Sequence, residues 1–407
     1  MAYFGFSTKG ALLAVLIAAF VFLLVENGPI RLPLHIEGQV DNKFSLVKDV
    51  FSQNFVDGWE RDLWGGYADR SSLRKWKEDT IQVVFSTTKG VAAVCVAMLV
   101  DRGLLSYSDL VSKHWPQFAQ NGKGNVTVQM ILSHQIDEDV TIEEAADHVS
   151  ISHKLEKQRP HWPPGTATAY HIYTYGWLVD QLIRRVDTKK RGIGQFVKEE
   201  IHDVYSIDMH VGLPKEEAGR VARLTPPSLV DRMSELSNDY RVSKYFLAFF
   251  KLITESMLSR ALGNLGWLEC VHQMTVNNPD FWSLEQAAAL GIGNGRSLAQ
   301  IFDLVVRGKI VSQKTLQLLQ IPHTNQTDGM MGDRLLKGNG LFFTKLNRAN
   351  TKYTIGHTGH GCQQVLMDVG NEISVGYTAN GMKTALGDLC RTWRRIQISL
   401  YDVLENN

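Results

Sequence analysis

Residues 81–101 read IQVVFSTTKGVAAVCVAMLVD. The apolar run at 81–85 has the pattern of a short buried strand. Residues 91–100 are apolar on every side, which is typical of a helix buried inside a protein. Ser86 lies between the two, and Lys89 follows it one helical turn later. The stretch therefore predicts a strand that leads directly into a buried helix, with a serine at the junction.

Ser86 and Lys89 form an S-x-x-K pattern whose residue types fit nucleophilic catalysis. A serine hydroxyl becomes a good nucleophile only when a base takes its proton. Residues three apart on a helix share a face, so the Lys89 amine can reach the Ser86 oxygen. Burial lowers the pKa of such an amine toward the range of a base. The first turn of a helix also favours the negative charge that develops during attack.

The pattern alone is not specific, because residues 45–48 and 72–75 fit it equally well. Ser45 falls in a predicted amphipathic helix, and Ser72 lies in a polar, charged segment. Of the three serines, Ser86 alone stands between an apolar strand and an apolar helix. The context therefore selects Ser86 as the candidate nucleophile.

The composition of the chain excludes several classes of function. Of 407 residues, 44% are hydrophobic and 21% are charged, and the formal net charge is +1, so we expect a folded protein without a nucleic-acid partner. Residues 291–295 are glycine-rich but follow no predicted strand, which indicates a turn before a helix and not a phosphate-binding loop. The four cysteines lack metal-binding spacing, so we predict no metal, while one or two disulfides stay open. They are Cys95, Cys270, Cys362 and Cys390.

The N-terminus carries an apolar segment, ALLAVLIAAFVFLLV, at residues 11–25. It lacks a small-x-small cleavage site, so we interpret residues 1–34 as an uncleaved signal-anchor with a linker. A cleaved signal and a buried core helix are the alternatives. Glycosylation sequons at Asn125 and Asn325 also favour entry into the secretory route. We therefore expect a single-pass membrane protein with a lumenal or extracellular catalytic part, or alternatively a secreted protein.

Residues 35–407 read as one unit without repeats. A helix is predicted over 43–55 and another at 386–404, and alternating strands begin near 338. The region from roughly 105 to 335 is rich in helical patterns. The predicted fold class is therefore α+β, an antiparallel sheet flanked by helices with an inserted helical subdomain.

Four segments resemble, in order, the motifs of the class C β-lactamase-like serine hydrolases. This family includes penicillin-binding proteins, bacterial esterases and animal serine β-lactamase-like proteins. The segments are VFSTTKG at 84–90, MILSHQ at 130–135, WPPG at 162–165 followed by Tyr170, and GHTGHG at 356–361. The last one matches a motif that is K-T-G in lactamases and H-T-G in many animal and esterase members. The resemblance covers roughly residues 35–404 and implies a β-lactamase/transpeptidase-like fold.

The resemblance also implies a mechanism that requires no cofactor. Ser86 would attack the carbonyl of an ester, amide or peptide, Lys89 would be the general base, and Tyr170 would be the second acid/base. An acyl-serine intermediate would then be hydrolysed. Substrate and oxyanion would be held by the edge strand and the residue after it, namely His357, Thr358, Gly359 and His360.

Each role has a structural alternative. Tyr170 can be a half-buried aromatic with a hydrogen-bonded hydroxyl, and His357 can simply pack at the strand edge. His134 fits a structural residue in a local turn better than a base.

The chain also departs from the family pattern at two places. Relatives have an additional strand where this chain joins residues 61 and 62, and a loop after the position of Gln135. A lost strand would leave backbone groups unpaired beside the catalytic strand. A catalytically weak scaffold that keeps the fold for binding or self-assembly is therefore the second hypothesis, and a homo-oligomer stays open.

Overall fold

Strands of three antiparallel sheets position the site. The computed structural model describes residue 33 and residues 35–60, 66–132, 142–245, 265–270, 273–348 and 351–406. The strands in these ranges are β1 (Tyr67–Asp69), β2 (Arg74–Lys75), β3 (Gln82–Val83), β4 (His210–Val211), β5 (Gly291–Gly293), β6 (Thr324–Thr327), β7 (Arg334–Gly338), β8 (Leu341–Arg348), β9 (Thr351–Gly359), β10 (Gln363–Asp368) and β11 (Ile373–Tyr377).

Helices cover the sheets and form most of the middle of the chain. Those of the described ranges are α1 (Ser45–Val56), α2 (Thr87–Asp101), α3 (Val111–His114), α4 (Val128–Leu132), α5 (Ile142–Ala146), α6 (His148–Lys157), α7 (Thr174–Val186), α8 (Ile193–Val197), α9 (Asp203–Tyr205), α10 (Leu229–Asn238), α11 (Pro279–Trp282), α12 (Gly295–Val306), α13 (Gln313–Leu319) and α14 (Arg391–Glu405). A π-helical turn, Lys198–His202, connects α8 to α9.

The main sheet is a six-stranded meander in the order β11-β10-β9-β8-β7-β6. Each strand pairs antiparallel with its neighbour in the chain. This confirms the alternating pattern predicted from residue 338 onward. The predicted fold class, an antiparallel sheet flanked by helices, is confirmed as well.

The glycine-rich segment at 291–295 is not the turn that the sequence predicts. Residues 291–293 form β5, the central strand of a small sheet in the order β3-β5-β4. A Cβ atom on Gly291 would collide with the Thr88 side chain, and one on Gly293 would lie 2.8 Å from the Met209 sulfur. Glycine is therefore needed for the strand to fit between these side chains.

Helix α2 forms the centre of the core, as its apolar pattern predicts. Every residue from 87 to 99 is buried. The helix approaches both α12 and β9 closely at Gly90, where an added Cβ would lie 3.1 Å from Phe302 and 3.3 Å from the His357 Cβ. The small residue thus brings β9 next to the helix that carries Lys89.

The last helix, α14, packs on α1. Asn54 donates a hydrogen bond to the Thr392 carbonyl over 3.2 Å, and Arg395 pairs with Asp57 at 2.6 Å. The helix begins at Arg391 and not at the predicted 386, because residues 387–389 form a 3₁₀ turn. A disulfide joins Cys362, after β9, to Cys390, directly before α14. The other two cysteines are free thiols.

The predicted location in the cell is wrong. Within the described ranges, no helix combines the length and apolar character needed to cross a lipid bilayer. This contradicts the prediction of a single-pass membrane protein with a lumenal or extracellular catalytic part. The segment at 11–25 that motivated it lies outside the described residues, as do residues 61–65 and 133–141, where the departures from the family pattern fall. The domain boundaries and the sequons stay predictions.

Candidate active site

The junction between β3 and α2 presents Ser86. Phe85 adopts a left-handed conformation with a φ of 47°, which turns the chain from strand to helix without a loop. The Thr87 and Thr88 hydroxyls hold this turn by donating to the Val84 and Phe85 carbonyls, at 2.7 and 2.5 Å. Ser86 is half-buried while its neighbours are buried. The turn thus exposes one hydroxyl at the N-terminus of a buried helix.

The Lys89 amine lies beside this hydroxyl and is itself fully buried. Its Nζ atom is 3.3 Å from Ser86 Oγ, 2.8 Å from the Ile172 carbonyl oxygen and 2.9 Å from the Ala288 carbonyl oxygen. Burial lowers the pKa of Lys89 well below its ordinary value. A neutral amine has two N–H donors and one lone pair. When Lys89 is neutral, the two carbonyls can accept both donors, and the lone pair can then accept the proton of the Ser86 hydroxyl.

Tyr170 completes the cluster from the other side. Its side chain is hydrogen-bonded to Ser86, and its ring centroid lies 4.7 Å from the Lys89 Nζ. Burial raises the pKa of Tyr170, so the phenol is neutral near pH 7 and holds a proton that it can donate. The segment before it turns at Gly165, whose φ is 86°. The segment after this turn places Tyr170 beside Lys89 of α2.

Asp328, which no motif of the sequence indicates, anchors Tyr170. One carboxylate oxygen accepts the Tyr170 backbone N–H at 3.0 Å and two further backbone N–H groups of its own turn. The other accepts from Lys337 Nζ at 2.6 Å, which also donates to the Thr168 hydroxyl. Asp328 and Lys337 are both buried. No local pattern distinguishes such an aspartate from an acidic residue in a surface turn.

His357 lies on β9 with its ring turned toward the cluster. The ring stacks on Phe342 with centroids 4.4 Å apart and lies 6.0 Å from the Tyr170 ring. Its Nδ1 donates to the Thr358 carbonyl over 2.7 Å, because a carbonyl can only accept. The other nitrogen, Nε2, has no hydrogen-bond partner among the described residues. Burial lowers the pKa of His357 to about 3, so the imidazole is neutral.

The end of β9 reaches the Ser86 junction. A Cβ on Gly359 would lie 2.8 Å from the Val84 carbonyl oxygen, so this approach requires glycine. The His360 ring meets Phe85 edge-on with centroids 5.3 Å apart. Burial lowers the pKa of His360. The backbone of His360 is therefore next to the turn that carries Ser86.

The fold brings the predicted site residues to one place. They are Ser86, Lys89, Tyr170, His357, Thr358, Gly359 and His360. Their roles stay predictions. Ser133 and His134 lie outside the described residues, and the sequon residues Asn125 and Asn325 are exposed.

The chain is similar to known proteins in both sequence and fold. The chain is 29% identical over 293 residues to Esterase/beta-lactamase LipL of Mycobacterium tuberculosis, covering 67% of this chain and 64% of LipL, so the match spans less than two thirds of that relative. The fold is similar to a family VIII carboxylesterase, with a TM-score of 0.77, 28% identity and coverage of 91% of this chain and 100% of the other. A penicillin-binding protein homologue from Caulobacter crescentus gives a TM-score of 0.74 at 27% identity, over 90% and 99% of the two chains. The model of the Beta-lactamase family matches residues 54–398. The chain therefore belongs to the β-lactamase family.

Proposed function

We propose that the protein hydrolyses esters through an acyl-serine intermediate on Ser86. The observation that carries the proposal is the buried Lys89 amine, 3.3 Å from the Ser86 hydroxyl and hydrogen-bonded to two carbonyls. Family membership supports serine hydrolase activity in general. Esters are the favoured class because one relative is named an esterase and one structural neighbour a carboxylesterase. Amides and peptides are the other classes that this chemistry serves.

The first step is acylation. Ser86 Oγ attacks the substrate carbonyl carbon while its proton passes to the Lys89 Nζ. The resulting ammonium has three donors, and two of them already point at the Ile172 and Ala288 carbonyls. The backbone N–H groups of Ser86 and His360 would stabilise the oxyanion. No buried carboxylate is needed, because the positive charge on Lys89 exists only transiently.

The second step expels the alcohol. Tyr170, a neutral phenol, gives its proton to the leaving alkoxide as the bond to the acyl carbon breaks. The Lys89 ammonium then returns a proton to the phenolate, which restores both neutral groups. In deacylation, water attacks the acyl carbon and its proton passes to Lys89, and the Lys89 ammonium returns a proton to Ser86 Oγ as this oxygen leaves. Atoms and charge balance over the cycle.

The neutral His357 imidazole supports an uncharged substrate. Its Nε2 has no partner among the described residues and lies on the strand edge where the resemblance places the substrate. As Nδ1 carries the proton, Nε2 can accept one hydrogen bond but offers no positive charge to a carboxylate. An ester without a carboxylate next to the scissile bond fits this edge better than a carboxylate-bearing β-lactam.

A fluorophosphonate probe with intact-mass detection tests the proposal. We expect one adduct on the full chain and turnover of short-chain nitrophenyl esters, both lost in Ser86→Ala. Ser45→Ala is the matched control, because Ser45 begins a second S-x-x-K pattern on α1. This variant should keep both the adduct and the ester turnover. A folded wild-type protein that takes no label would overturn the hydrolase proposal in favour of a scaffold.

A further inference from the structure

We propose that His202, Asp208 and His210 form a binding site for a divalent transition-metal ion such as Zn²⁺. One ligand atom from each lies within 4.8 Å of the others, and these are the three residues that form such a group in the part of the chain that the structure describes. All three side chains are half-buried. Two imidazoles and one carboxylate are donors that Zn²⁺ accepts in proteins.

The ring of His202 is oriented by its Nδ1 contact, so Nε2 is the atom that would bind a metal. It ends the π-helical turn Lys198–His202, a rare element that often occurs at functional sites. Its Nδ1 donates to the Ile207 carbonyl over 3.0 Å, which leaves the lone pair on Nε2. Metal-binding histidines commonly donate their second ring nitrogen to a carbonyl in this way, because the bond fixes the tautomer and the ring orientation.

His210 and Asp208 supply the other two donors. The His210 Nε2 lies 2.9 Å from an Asp208 carboxylate oxygen, and its ring centroid is 5.0 Å from that of His202. Arg220 donates to both oxygens of the Asp208 carboxylate, at 2.6 and 3.1 Å, and so fixes its orientation. Arg220 is itself paired with Glu217 at 2.7 Å, which offsets part of the repulsion between the guanidinium and a bound cation.

Binding requires small side-chain rotations and the loss of one proton. Donors about 2 Å from a tetrahedral ion lie about 3.3 Å apart, so donor atoms that now lie up to 4.8 Å apart must approach one another by up to about 1.5 Å. The proton on His210 Nε2 passes to solvent as that nitrogen takes the metal. Solvent reaches the group, because the Asp208 side chain is 24% exposed and that of His210 is 12% exposed.

The proposed metal site is separate from Ser86. His210 lies on β4 opposite Ile292 of β5, and Ile292 lies opposite Val83 of β3, the strand that leads into the Ser86 junction. The site therefore occupies the far edge of the small sheet. A bound ion would tie the π-helical turn to this edge, and Ser86→Ala should bind the metal as the wild type does.

Titration of the chelator-treated full chain with Zn²⁺, by calorimetry, tests the site. We expect one ion per chain and a loss of affinity of about tenfold or more in both His202→Gln and His210→Gln. His114→Gln is the matched control. His114 also lies 2.8 Å from an aspartate, Asp109, but without a second histidine in the group, so this variant should bind as the wild type does.

X-ray absorption on the Zn²⁺-loaded wild type tests the ligands without any variant. Two imidazoles with oxygen donors and no sulfur are expected. Absence of a stoichiometric site in the wild type overturns the proposal, as does affinity that survives both substitutions or falls equally in His114→Gln. An X-ray absorption spectrum that shows a sulfur ligand or fewer than two imidazoles also overturns the proposal.

Discussion

The backbone N–H of Tyr170 donates to the Asp328 carboxylate over 3.0 Å, although 158 positions separate the two residues in the chain. The same carboxylate neutralises the buried Lys337. The turn that presents Tyr170 to Ser86 is thus fixed by a charge at the end of the main sheet.

Asp328→Asn should destabilise the protein and lower its activity. The substitution keeps the shape but leaves the Lys337 ammonium buried without a counter-charge, which typically costs about 3–5 kcal/mol. Burial already lowers the pKa of Lys337, so that side chain becomes easier to deprotonate in the variant. Urea unfolding and ester turnover measure the two effects. Asp333→Asn is the control, because Asp333 pairs with Lys244 at the surface, where such pairs contribute about 0–1 kcal/mol. Equal stability of the two variants would contradict the assignment.

Lys89→Arg should abolish ester hydrolysis, with a loss of at least about 10²–10⁴ in kcat/KM, because a guanidinium cannot act as a base. In the wild type, kcat/KM should rise with pH as Lys89 loses its proton, with a midpoint well below the ordinary lysine pKa. Tyr170 must keep its proton, and its raised pKa puts any alkaline fall above pH 10. A pH profile of kcat/KM from 5 to 10 should show the rise without an alkaline fall, and a midpoint at the ordinary lysine value would refute a neutral Lys89.

Tyr170→Phe should impair alkyl esters more than nitrophenyl esters. The change removes the hydroxyl that protonates the leaving group, which is worth about 10²–10⁴ for general-acid catalysis, and a nitrophenolate leaves without protonation. The ratio of kcat values for the two ester types reports this effect. Tyr107→Phe is the control, because the buried Tyr107 hydroxyl has no hydrogen-bond partner among the described side chains and backbone. Equal losses on both ester types would assign Tyr170 a packing role.

The free energy of unfolding should fall as the pH drops from about 6.5 toward 5. Burial lowers the pKa of His171 and of His357 to about 3, whereas both bind protons near pH 6.5 when unfolded. The unfolded state therefore takes up more protons across this window, and each histidine contributes up to about 1.4 kcal/mol per pH unit. Urea unfolding at pH 7, 6 and 5 should show a shallower dependence in His171→Gln. The exposed His153→Gln should keep the wild-type slope.

Local sequence predicted the features that depend on local physics. Residues 91–100, which are apolar on every side of the helix, identify the buried α2. The alternation of apolar and polar residues identifies the strands from β8 to β11. The local sequence does not predict the strand at 291–293. Glycine is required there because the side chains of Thr88 and Met209, which are distant in sequence, leave no room for a Cβ atom.

The site was predicted where its residues lie within motifs and missed where they do not. Ser86, Lys89, Tyr170 and His357 stand in three of the four motif segments, which follow one another in a recognisable order. Asp328 acts through contacts with residues far away in sequence, and its own neighbours look like those of a surface turn. The left-handed conformation of Phe85 could not be predicted from the sequence either, because phenylalanine does not prefer this conformation.

The packing of α14 on α1 has a consequence for how the chain is made. Phe51 and Phe55 of α1 belong to the same apolar cluster as Trp393 of α14. A growing chain therefore carries the uncovered face of α1 through synthesis until residues 391–405 leave the ribosome. A premature stop codon before Cys390 would leave that face bare and the Cys362 thiol without its partner, so the loss of α14 also disturbs α1.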